Sequence, residues 1–281
     1  MNVIFFGIEL NKKVKRDRAT GLASEQAYYY LLALFPLLIL LLSILPYLSI
    51  ESSRALEIMN TFLPSETATV IHDNILEIFR KQHEGLLTFG IIGTVWSASS
   101  GMDAFMHSMN IAFDVEETRG FIKTKCISIL LTFCLIFAFL IGLLLLIFGN
   151  MILSAVREVI TIPDGVVVIL HIIRWLVSVA VIAVVISILY RFAPNKAYRL
   201  KQVIPGAFAA TVVWLIITVG FSYYVNHYAH YSATYGSLGA VIVLMLWLYF
   251  TGLALVLGGE VNSLFYRGSH GPKNTLSFVK K

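Results

Sequence analysis

Long apolar windows separated by short polar stretches recur along the whole chain. Six of them reach or approach the ~20 apolar residues needed to cross a ~30 Å hydrocarbon core. They cover residues 28–50, 86–107, 126–148, 166–192, 203–225 and 236–264. The pattern predicts an all-α polytopic membrane protein with six transmembrane helices. No remaining segment is long enough for a soluble domain, so residues 1–281 read as a single integral membrane domain. The connection 51–84 is too long for a simple turn. After Pro64, "SETATVIHDNILEIFRKQ" places Ile71, Ile75, Ile78 and Phe79 on one helical face, and "SSRALEIMNTFL" before it also reads as helical. The expectation is an external helical hairpin between spans one and two, serving as a lid or as a structural cap.

Composition agrees with this pattern. The chain is 58% apolar and 13% charged, against roughly 45–50% and about 25% in soluble domains. At the start, the apolar run "VIFFGIEL" precedes the basic cluster "KKVKR". That order is the reverse of a signal peptide and predicts no cleavable leader. The run is too short to span; it reads as an interfacial helix beside span one or as a loose tail. Cys126 and Cys134 lie eight residues apart on one helix, about 12 Å of rise, too far to bridge.

Charge gives the orientation. Sixteen Lys and Arg fall in the N-terminal segment, the loops after spans two and four, and the C-terminal tail; four (Arg54, Arg80, Lys81 and Arg157) fall in the alternate connections. Short loops rich in Lys and Arg stay in the cytoplasm, so both termini are expected in the cytoplasm. The net charge of +5 then reports orientation and anionic headgroups. No nucleic-acid recognition motif accompanies it.

The polar residues inside the apolar windows carry the candidate chemistry. In span two, Gly93, Ser97 and Gly101 recur every four residues, with Gly90, Thr94 and Ala98 as a neighbouring row. Small residues at that spacing let helices approach closely in a membrane. They do not account for Asp103 and His107, one turn apart in the same span. A carboxylate there costs a few kcal/mol on insertion scales and should face the bundle interior or water. Glu25, just before span one, and Glu260, near the inner end of span six, lie at similar depth. The three acids either line the mouth of a cavity or pair with basic residues at the headgroup boundary. Arg174 lies about eight residues into span four, with His171 one turn earlier. It either binds an anionic group, for which its fork geometry is suited, or snorkels to the outer headgroups. Pro36 interrupts span one and should kink it.

Enzyme chemistry is not apparent. "HYAH" (His227, His230) has the i, i+3 spacing of a metal pair but no acidic or cysteine ligand nearby. There is no Walker loop, HExxH or GxSxG. No metal or cofactor is predicted, and transport would run on a gradient, mass action or a separate partner.

Four stretches bring the chain close to a known family: "ASEQAYYYLLALFPLLILLLSILPYL", "WSASSGMDAFMHSMNIAFDV", "LYRFAPN" and "YGSLGAVIVLMLWLYFTGLALVLGGEVNS". In order and content they resemble the YihY/virulence factor BrkB family over most of the chain. The resemblance implies a six-helix bacterial inner-membrane protein. Parts of that family once carried the label ribonuclease BN, for which no nuclease site is visible here. Some relatives have been linked to the movement of lipid-like or amphipathic solutes. The resemblance marks Tyr28, Pro36, Trp96, Ser97, Asp103, Arg191, Pro194, Asn195, Tyr235, Gly236 and Glu260 as family positions without defining their roles. The leading expectation is a transporter or flippase-like protein for an anionic amphipathic solute or lipid. Arg174 would bind the head, Asp103, Glu25 and Glu260 would shape the inner opening, and an acid or His107 would carry protons. The alternatives are a non-transporting scaffold that binds itself or a partner through its small-residue faces, and an intramembrane enzyme.

Overall fold

A computed structural model describes residues 3–44, 84–159, 164–227 and 238–270. The expected external hairpin at 51–84 lies almost wholly outside the described residues. Every element among the described residues is a helix. They are α1 (Val3–Arg16), α2 (Ala19–Ile44), α3 (Glu84–Ala112), α4 (Phe121–Val159), α5 (Asp164–Phe192), α6 (Leu200–His227) and α7 (Leu238–His270). The protein is an all-α, polytopic membrane protein. Five helices are long and apolar enough to cross a bilayer, within α2, α4, α5, α6 and α7. At 29 residues α3 is long enough, but its serines, glycines and Asp103 keep it outside that set.

The chain divides into two compact units, residues 29–100 and the remainder. Within residues 29–100, α2 and α3 meet through small residues. A Cβ on Gly90 would fall 2.9 Å from the Leu40 Cα, and one on Gly93 would fall 3.3 Å from the Pro36 Cβ. The row of small residues predicted in span two is therefore a contact surface at these two positions. Pro36 lies inside the continuous helix α2.

In the other unit, α6 packs along α7 and against α5. The α6–α7 contact is tightest where Gly206 faces Gly258. A Cβ on Gly258 would lie 2.6 Å from both the Gly206 carbonyl oxygen and the Ala210 Cβ. Asn262 Oδ1 accepts the Gly206 N–H at 2.6 Å, and the Tyr190 hydroxyl donates to the Leu255 carbonyl at 2.5 Å. The core around these contacts includes Phe105, Met106, Met109, Val203 and Val256. Gln26, wholly buried on α2, donates to Ser108 at 2.8 Å. Trp247, mid-span in α7, packs on Trp214 and Phe221, so packing accounts for its position. Cys126 and Cys134 are free and exposed.

Two residues with positive φ, Arg18 at 52° and Asp114 at 53°, set the chain direction at one end of this unit. Arg18 separates α1 from α2. Asp114 ends α3 in a Schellman pair: the Val115 N–H bonds the Asn110 carbonyl and the Asp114 N–H bonds that of Ile111. These turns bring α1, the end of α3 and the C-terminal part of α7 together.

Candidate functional site

Lys13 is the centre of this end of the molecule. Only 3% of its side chain is exposed, and Glu260 is wholly buried. The ammonium lies 2.6 Å from Asp17 Oδ2, 2.7 Å from Glu260 Oε2 and 3.4 Å from Asp114 Oδ2, and donates to the Ala112 carbonyl at 2.8 Å. The approach to Glu260 is short but poorly directed, and neither Glu260 oxygen has an aligned donor. The attraction there is Coulombic. Arg16 closes the cluster, bonding both oxygens of Asp17 and, at 2.8 Å, Asp114. Burial pushes the Asp17 carboxyl up, but hydrogen bonds from Arg16 and Lys13 outweigh it and hold the group below its ordinary value. Two cations thus face three carboxylates.

A second ion pair joins α3 to α4. Lys125 Nζ lies 2.9 Å from Asp103 Oδ2, with 10% of the lysine side chain exposed and 33% of the aspartate. Asp103 Oδ1 is buried and has no hydrogen-bond partner among the described residues. Ser128 and Thr132 continue the Lys125 face of α4; both are buried, and both donate to carbonyls of their own helix. Hydroxyls bonded in this way remain able to accept a further hydrogen bond.

The loop 113–120 is clasped to the loop after α5. Asn110 donates to Glu117 at 2.7 Å and accepts the Asn195 N–H at 2.7 Å. Asn195 donates to the Glu116 carbonyl and to Thr118, and Arg119 bonds Glu117 and the Ala193 carbonyl. The hydrogen bond from Arg119 is the main reason the Glu117 carboxyl falls to about 2. Tyr198 packs tilted against Phe113 and meets Tyr266 edge-on, with Lys196 above both Tyr198 and Tyr266. Burial pushes the Tyr198 phenol up to about 12.

The other expected residues are more dispersed. Glu25 is half-buried inside α2, and His107 is exposed on α3. Arg174 is half-buried, and α5 carries Ser178, Ile182, Val185 and Leu189 on the same helical face. Of these, Leu189 is buried and Ile182 and Val185 pack against the core. The side chain of His171, and the whole of His230, lie outside the described residues. His227 stacks on Tyr223. Among the described residues, no group of three or more His, Cys, Asp or Glu could hold a metal ion.

Sequence reasoning places Asp103 and Glu260 at one end of the bundle and leaves open their pairing with basic residues, without singling out which. Lys13 and Lys125 are the buried counter-ions. The i, i+4 spacing of Lys13 and Asp17 was a visible signal. Lys125 carries none, because its pairing depends on how α3 and α4 fold back on each other.

Comparison with known proteins is consistent across the chain. The sequence profile described as virulence factor BrkB matches residues 10–277. The ribonuclease-like protein YfkH of Bacillus subtilis is 41% identical over 92% of this chain and 94% of its own length. A UPF0761 membrane protein of Tolumonas auensis is 27% identical over 89% of this chain and 81% of its own. Another, from Aliivibrio salmonicida, is 25% identical over 90% and 81%. No solved structure matches the chain. With the profile spanning nearly the whole sequence and the helices placed where its apolar windows lie, the chain belongs to the virulence factor BrkB family.

Proposed function

We propose that this membrane protein is a transporter, or a flippase-like protein, for an anionic amphipathic solute such as a lipid. It sits in the bacterial cytoplasmic membrane with six spans, α3 among them, and both termini in the cytoplasm. One observation carries the reading: the Asp103 carboxylate meets the nine-tenths buried Lys125 through one oxygen, while its other oxygen is buried with no donor among the described residues. A pure packing interface would favour satisfying both, since a buried carboxylate oxygen left without a donor is costly. An anionic head entering beside Ser128 and Thr132 would replace Asp103 as the partner of Lys125.

Two further features support an amphipathic solute. Arg174 on the packed face of α5 offers a bidentate site in the half of the bundle opposite Glu260. In that same half, α6 and α7 form an apolar groove of about 400 Å3, lined by Thr218, Phe221, Ser222, Ala240, Val243, Leu244 and Trp247. That volume is in the range of small-molecule sites and suits a hydrocarbon tail. In this reading Glu25 and Glu260 shape the inner opening, and His107, exposed one turn beyond Asp103, exchanges protons with the cytoplasm. The protein performs no bond-breaking chemistry.

The test is reconstitution of the purified protein into liposomes carrying a fluorescent phosphatidylglycerol analogue on both leaflets, followed by quenching from outside. Expected are complete quenching with the unmodified protein and at least a tenfold slower second phase with Lys125→Gln or Arg174→Gln. If the unmodified protein quenches no more than protein-free liposomes, the lipid-transport reading fails. If it transports and both variants match it, the residue assignments fail.

A further inference from the structure

Helix α1 has two faces of different character, and the bundle uses only one. Its inward face carries Phe6, which meets Phe265 at 5.4 Å, and Val14, which packs on the core. Lys13 on the same side is locked among Asp17, Glu260 and the Ala112 carbonyl. At 3.6 residues per turn, Ile4, Phe5, Ile8, Lys12 and Lys15 fall within an arc of about 100° on the other side. Ile4 is 76% exposed, Phe5 56% and Ile8 50%; the Lys12 side chain is 70% exposed and Lys15 is exposed. The arc is apolar at its N-terminal half and basic at its C-terminal half. The acid beside it, Glu9, lies 3.4 Å from Lys12.

A helix of 14 residues is too short to span a bilayer. Exposed branched and aromatic side chains beside lysines form the profile of a helix lying in the headgroup plane of an anionic leaflet. Its attachment reinforces that role. The pinned inward face stops α1 from rolling, so the apolar arc keeps a fixed outward direction. The first turn of α4 likewise exposes Phe121 at 75% and Ile122 at 77%, followed by exposed Lys123.

We infer that the outward face of α1 is a docking surface for an anionic lipid surface, with Ile4, Phe5 and Ile8 entering the acyl boundary and Lys12 and Lys15 contacting headgroup phosphates. This does not depend on the transport reading. It does make α1 a physical link between the leaflet and the Lys13–Glu260 cluster.

The test uses the full chain with Cys126 and Cys134 replaced by serine and a polarity-sensitive fluorophore on Ile8→Cys. The protein is reconstituted into phosphatidylcholine vesicles with or without phosphatidylglycerol, and iodide quenching is measured. Expected are a blue-shifted emission and a several-fold loss of quenching when phosphatidylglycerol is present. Lys12→Gln/Lys15→Gln, or high salt, should reverse both changes. Both lysines are exposed, so the double variant should fold. Equal quenching in the two vesicle types would overturn the inference. So would protection that the lysine variant does not reduce, or protection already complete in detergent, which would mean another protein copy covers the face.

Discussion

Within residues 29–100, α2 and α3 meet backbone to backbone at Gly90–Leu40 and backbone to proline ring at Gly93–Pro36, and no ion pair links them among the described residues. In the other unit one end is built from charge: Lys13 among three carboxylates, Lys125 on Asp103, and Arg119 on Glu117. Lipid provides no hydrophobic drive for helix association, so helices must pack closely or share polar partners. The two regions show the two solutions. Close approach tolerates little added volume but is indifferent to pH. Buried charge tolerates volume changes but depends on every partner being present.

The largest effect should come from Lys13→Met, which leaves Glu260 buried beside Asp17 and Asp114 without their shared cation. Removing one partner of a buried pair typically costs about 3–5 kcal/mol. Unfolding of the detergent-solubilised protein should register that loss. Glu260→Gln should cost clearly less, because it removes the surplus negative charge of the cluster. If the two variants are equally damaging, the surplus charge does not matter. If Lys13→Met costs under about 1 kcal/mol, the cluster behaves as a solvated surface pair and the contrast between the regions collapses.

Next come the glycines. Gly258→Ala would press on backbone and on Tyr190, with an expected loss of about 1–3 kcal/mol for overpacking. Gly90→Ala also meets backbone and should be costly, whereas Gly93→Ala meets only the Pro36 ring and should be the mildest of the three. Thermal unfolding of the three variants side by side gives the order. Equal losses at Gly90 and Gly93 would show that backbone contact is not the deciding factor in residues 29–100.

The smallest effect is in acid. The folded Glu117 carboxyl lies at about 2, below its ordinary value near 4.5. A depressed carboxylate contributes stability above its unfolded value and loses that contribution as pH falls from about 4.5 towards 2. Proteolysis or hydrogen exchange in the loop 113–120 should increase over that window. Glu117→Gln should remove the dependence, while the Gly90–Leu40 contact should show none.

The helices were largely legible because apolar length fixes them directly. Two ends depart most: α4, expected to end at Phe148, runs on to Val159, and α2, expected to start at Tyr28, starts at Ala19. Ala19, Ala23 and Ala27 are wholly buried or nearly so, and Gln26 is wholly buried; this turn is held by small-residue packing and a side-chain hydrogen bond, which hydropathy does not weigh. Glu25 consequently sits within the helix. The acids of the candidate site were visible as anomalies, since a charge in an apolar window stands out. Their partners were not, because a lysine beside a loop looks the same whether it meets water or a buried carboxylate.

By itself, then, the sequence determined the class of protein, the register of its helices and the places where polarity is costly, because these follow from local composition and spacing. Only the tertiary structure decided that Lys13 and Lys125 turn inward, that Glu260 is enclosed and that Gly206 faces Gly258. Each depends on residues 22 to 247 positions apart, whose meeting is set by two left-handed turns and the fold-back of helices and not by any local preference.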